Sequence, residues 1–112
     1  MIPQYVKDKE KGYIVESDLS ENDCIKFSNG TMIYYNPGIY VDKGIDKYTF
    51  NFPIAFKNIP TVLLTNKYSY VRDVIWSTGN VKKSSVDLYP RQNNNTPTET
   101  VSLSLIAIGK WK

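Results

Sequence analysis

Between Val101 and Ile108 the chain reads V-S-L-S-L-I-A-I, and no other stretch limits the fold as tightly. In an extended strand successive side chains point to opposite faces. Val101, Leu103, Leu105 and Ala107 therefore form one apolar face, and Ser102, Ser104, Ile106 and Ile108 the other. The strand begins amphipathic and ends apolar on both sides. A strand of this kind is either central in a sandwich or pressed against another subunit. A chain of 112 residues can bury one thin core, and oligomerisation is a usual remedy for that. A subunit contact that includes Leu105, Ile106 and Ile108 is expected.

The remaining signals are also those of strands. Asn29-Gly30 suits a two-residue type I′ hairpin, which would pair Phe27 with Met32 and Ile25 with Tyr34. Ile25, Phe27, Met32 and Tyr34 would then face the core, with Cys24, Lys26, Ile33 and Tyr35 on the other side. Asn36-Pro37-Gly38 reads as a break before a short edge strand over Ile39 to Val41. Tyr48, Phe50 and Phe52 alternate with Thr49 and Asn51 until Pro53 ends the ladder. Further strands are expected over Thr61 to Thr65, with Val62 and Leu64 on one side, over Val71 to Trp76, and over Val81 to Tyr89, with Val86 and Leu88 inward. No window of ten residues carries a helical period. The expected fold is all-β, a small antiparallel β-sandwich over residues 23–112. Residues 1–22, with the mixed charge run Lys7 to Lys11, read as an extended N-terminal arm or linker.

Composition narrows the chemistry. The chain has no histidine and one cysteine, Cys24, which argues against most hydrolase constellations, transition-metal sites and a disulfide. No enzymatic activity, cofactor or metal is expected. Fourteen basic and eleven acidic residues give +3, small and scattered for a nucleic-acid footprint. No stretch is long and apolar enough for membrane insertion, and residues 1–11 lack a signal-peptide core. Nine tyrosines among fifteen aromatic residues suit strands, interfaces and polar-ligand surfaces.

Carbohydrate sites combine an aromatic face with planar polar groups that take hydroxyls in pairs. Tyr70, Arg72 and Trp76 would share one side of a strand, with Asp73 beside them. Either they form a sugar or acidic-glycan platform, or Trp76 is core or interface packing and Arg72 pairs with a carboxylate such as Asp73 or Asp87 of a neighbouring chain. A second candidate is the loop of Arg91 and Asn93 with Tyr89 at its base, where amides and a guanidinium offer adaptable polar contacts. Asp73 and Asp87 could in principle act as an acid pair, but so small a domain has little room for a substrate groove.

Glu21 to Tyr35 (ENDCIKFSNGTMIYY), Tyr48 to Val62 (YTFNFPIAFKNIPTV) and Ile106-Ala107-Ile108-Gly109 resemble, in that order, the C-terminal domain of bacteriophage tail-fibre proteins. The same ground plan is similar to the H-type lectins, antiparallel sandwiches that trimerise and bind sugars at subunit edges. The resemblance implies a homotrimeric receptor-binding domain at the tip of a phage, prophage or tailocin fibre. Its implied partners are a bacterial surface polysaccharide or teichoic-acid-like polymer and other tail or baseplate proteins. The alternative it leaves open is a trimerisation or assembly cap that binds no ligand.

Overall fold

The structure is a computed structural model that describes residues 23–67 and 74–112 in full and the backbone of residues 14–18. Eight strands follow one another: β1 (Ile14–Asp18), β2 (Cys24–Phe27), β3 (Thr31–Val41), β4 (Tyr48–Asn51), β5 (Thr61–Asn66), β6 (Val74–Gly79), β7 (Ser85–Gln92) and β8 (Val101–Lys110). They form a five-stranded sheet, β1-β2-β3-β8-β5, and a three-stranded sheet, β4-β7-β6. All neighbours are antiparallel. No helix occurs among the described residues, and the expected all-β fold is the fold found.

The alternation of β8 works as the sequence implies. Val101, Leu103, Leu105 and Ala107 are fully buried, and β8 lies inside the larger sheet between β3 and β5. From the smaller sheet Val86 and Leu88 of β7 and Val74 of β6 close over them. The gap between the sheets is filled by rings set mostly edge to face, a favoured aromatic geometry. Phe52 lies 5.4 Å from Phe56 and 5.9 Å from Phe50, and Tyr34 lies 6.0 Å from both Phe50 and Phe52. Val62 and Leu64 pack at the margin of this core, as their alternation implies.

The structure differs from the expected pairing and strand bounds at several places. The β2–β3 hairpin pairs Cys24 with Tyr34 and Ile25 with Ile33, one residue away from the expected register. Its loop is Ser28-Asn29-Gly30, closed by the Gly30 N–H donating to the Phe27 carbonyl at 3.0 Å, with Gly30 at φ +94°. A three-residue loop needs a left-handed last residue, and an odd loop turns β2 over. Cys24 therefore enters the core and Ile25 shares the outer side with Ile33.

Asn36-Pro37-Gly38 is not a break but a β-bulge in one continuous strand, whose first half lies between β2 and β8 and whose Ile39–Val41 half pairs with β8 alone. The sixth strand, expected over Val71 to Trp76, runs on to Gly79, residues 71–73 lying outside the described residues, and the seventh spans Ser85–Gln92 rather than Val81 to Tyr89. Pro90 stands beyond the Tyr48–Leu88 end of the β4 ladder, where a missing N–H is tolerated. Within the segment expected as an arm, residues 14–18 pair with β2 as an outer strand of the sheet. The charge run Lys7 to Lys11 lies outside the described residues.

Candidate functional site

The smaller sheet turns Asp87, Tyr89 and Arg91 of β7 outward, because Val86, Leu88 and Pro90 take the inward positions. Asp87 is only 7% exposed. Thr49 of β4 stands opposite it and donates its hydroxyl to Oδ1 at 2.7 Å. Asn80, which tolerates φ +46° after β6 because its short side chain suits that region, donates Nδ2–H to Oδ2 at 2.8 Å. The Asn80 and Thr49 hydrogen bonds, with help from Lys47 and Lys82, hold the Asp87 carboxyl below its ordinary value of 3.8 against the opposing effect of burial. It is an acceptor already satisfied from two sides, and the described residues place no second carboxylate on it.

Tyr89 rests on β6 where that strand has no side chain: a Cβ at Gly79 would lie 2.8 Å from its ring. Arg91 is engaged within the chain. Nη2 meets Asp46 Oδ1 at 2.6 Å, and Nη1 donates to the Asp46 and Pro90 carbonyls at 3.0 and 2.8 Å. Asn93 is exposed at the tip of a turn in which Asn93 and Asn94 have φ of +52° and +66°. Gln92 and Asn95 exchange backbone hydrogen bonds of 2.7 and 3.0 Å across it. This turn carries the φ signature of type I′ that the sequence suggested for Asn29-Gly30.

Of the residues expected to bind a ligand, Tyr89 and Arg91 share this outward face. Trp76 does not, since it pairs with Pro90 on the inward side and packs against the core. Its indole N–H donates to Asn66 Oδ1 at 2.6 Å, and Asn66 Nδ2 in turn donates to the Val74 carbonyl at 3.0 Å. Tyr70, Arg72 and Asp73 lie outside the described residues. Among the described residues no cluster of three metal-ligating side chains occurs, and no helix is long and apolar enough to cross a membrane.

The larger sheet presents a different outer face. Ladder register lines up Ile25, Ile33 and Ile108 in one row and Tyr35, Ile106 and Leu63 in the next. Leu63 is 53% exposed, Tyr35 44% and Ile108 37%, and Ile106 is half-buried. Leu105 belongs to the opposite, fully buried face. Of the three residues expected at a subunit contact, Ile106 and Ile108 are placed to reach a neighbour and Leu105 is enclosed by its own chain.

Sequence reasoning missed a third feature at the far end of this face, beside the bulge. Tyr40, paired with Ser102, and Lys67, which follows β5, both reach over Gly38. The only advance signal was the Asn36-Pro37-Gly38 triplet, which reads equally as a turn.

The chain, an antiparallel two-sheet sandwich with a central last strand, is similar in fold to solved fibres of R-type pyocins. An N-truncated R1-type pyocin tail fibre superposes with a TM-score of 0.69 at 18% identity, covering 97% of this chain and 98% of that one. A C-terminal fragment of the R1 pyocin fibre of P. aeruginosa gives 0.67 at 19% identity over 84% of this chain, and an R2 fibre fragment of P. aeruginosa gives 0.61 at 11% over 88%. The chain spans 27% and 26% of the lengths of those two longer fragments. No protein-family model matches the sequence, and no curated protein matches it significantly.

Proposed function

We propose that this chain is a receptor-binding domain of a phage or R-type tailocin tail fibre, that it works as a homotrimer, and that it binds a bacterial surface glycan without catalysis. The observation that carries the reading is the superposition on an R1-type pyocin tail fibre over nearly the whole of both chains. The apolar rows of Ile33, Tyr35, Leu63, Ile106 and Ile108 support the trimer, since an exposed apolar strip on a chain this small calls for a partner. Three sites per fibre would raise a weak affinity for each sugar to useful avidity. In the tail, the domain would join other tail or baseplate proteins.

A second reading is an assembly cap that binds no ligand. It is favoured by the engagement of Trp76 with Asn66 and of Arg91 with Asp46, which leaves two of the expected ligand groups occupied. Adsorption of the labelled full chain to a panel of bacterial strains separates the two. Saturable adsorption competed by the strains' own surface polysaccharide supports the receptor-binding role. Intact trimers that adsorb to no strain in the panel leave the cap.

A further inference from the structure

The bulge in β3 brings a tyrosine ring and an ammonium together over bare backbone. Tyr40 is 67% exposed, the most exposed aromatic side chain among the described residues. A Cβ at Gly38 would lie 3.3 Å from Lys67 Nζ, 3.6 Å from the Tyr40 ring and 3.9 Å from its hydroxyl, so both groups pack side by side over the bare glycine backbone.

The backbone beneath them is fixed. The Gly38 N–H donates to Asn36 Oδ1 at 3.0 Å, and the Ser104 hydroxyl to the Pro37 carbonyl at 2.9 Å. Lys67 is anchored through its backbone: its N–H donates to the Ser102 carbonyl at 3.2 Å, and its carbonyl accepts from the Ser102 hydroxyl at 2.8 Å. Its ammonium makes no ion pair among the described residues. An exposed ring on a rigid strand offers a face for the C–H surface of a sugar. An ammonium within reach adds a charged donor for one anionic substituent.

We propose that Tyr40 and Lys67, meeting over Gly38, bind an anionic sugar ring, the pyranose stacking on Tyr40 and its carboxylate or phosphate taking the Lys67 ammonium. The inference rests on the glycan-binding reading and names its site and ligand class. Within the larger sheet the site lies beyond the apolar strip, past the bulge.

The test is a titration of the isotope-labelled full chain, followed by amide NMR, with glucose, glucuronate and glucose 6-phosphate, which share one ring and differ at C6. Both anions should shift the amides of Gly38, Tyr40 and Lys67 and bind about fivefold more tightly than glucose, the factor expected for one exposed charge at contact distance. Glucuronate binding better indicates a uronate polymer, and glucose 6-phosphate binding better a phosphorylated one. Lys67→Met should abolish the preference for anions, and Tyr40→Ala should weaken all three sugars about three- to tenfold. Both side chains are exposed, so spectra elsewhere should be unchanged.

Absence of shifts at residues 38, 40 and 67 with either anion, or an anion preference that survives Lys67→Met, overturns the site. Strain adsorption reads the receptor-binding role separately. A chain that adsorbs but fails the titration loses this site alone, and one that passes the titration but never adsorbs loses the receptor-binding role.

Discussion

Ile106→Asp places a carboxylate in the middle of the apolar strip on the larger sheet, between Tyr35 on β3 and Leu63 on β5. Fully burying a leucine or isoleucine side chain is worth about 1.5–3 kcal/mol. Covering the exposed fractions of Leu63, Ile108 and Tyr35, between 37% and 53%, therefore yields roughly 3 kcal/mol per subunit. A carboxylate buried there with no partner costs about 3–5 kcal/mol. The cost in each subunit matches or exceeds the gain, so the assembly should be lost at micromolar concentration. Native mass spectrometry and light scattering should find a trimer for the parent chain and a monomer for the variant. Far-ultraviolet circular dichroism should be unchanged, because Ile106 lies on the face away from the core. An oligomer that persists in the variant, or a parent chain that is already monomeric, refutes the reasoning.

Leu103→Ala removes a fully buried side chain from the centre of β8, and at fixed protein concentration it should cost about 2–5 kcal/mol in a denaturant titration. Gly30→Ala forces φ +94° on a residue with a Cβ, which would lie 3.2 Å from the Lys112 carbonyl; a loss of about 1–2 kcal/mol is expected by the same assay. The folded-state pKa of Asp87 is depressed, so its contribution to stability is complete above its ordinary value of 3.8 and is lost as pH falls through the lower folded value. Denaturation midpoints of the parent chain should therefore fall more steeply below that pH than those of Asp87→Asn, and parallel curves would show that the carboxylate is not held as described.

Much of the fold was legible in side-chain alternation. The buried face of β8, the Tyr48-Phe50-Phe52 row and the inward Val86 and Leu88 all follow from period two, because burial on one face leaves the sequence no other register. The β2–β3 hairpin was not, since Cys24-Ile25-Lys26-Phe27 offers an acceptable inward pair in either phase. The choice rests with the loop, and Asn29-Gly30 serves a two- or a three-residue loop equally well. The bulge at Asn36 was hidden for a related reason: Pro and Gly mark a departure from the ladder but not whether pairing resumes beyond it.

The candidate sites were less legible still. Trp76 and Arg91 are residue types that suit a glycan, yet the hydrogen bonds that occupy them come from Asn66 and Asp46, partners distant in sequence. The meeting of Tyr40 with Lys67 likewise depends on β8 holding β3 and β5 on either side of it.

That central place of β8 also bears on the order of events during synthesis. Both strands it joins leave the ribosome well before it does, so a nascent chain released only as far as Thr100 holds two unsatisfied ladders with a gap between them. Any interruption of translation before Val101 would yield not a shortened domain but one without its keystone.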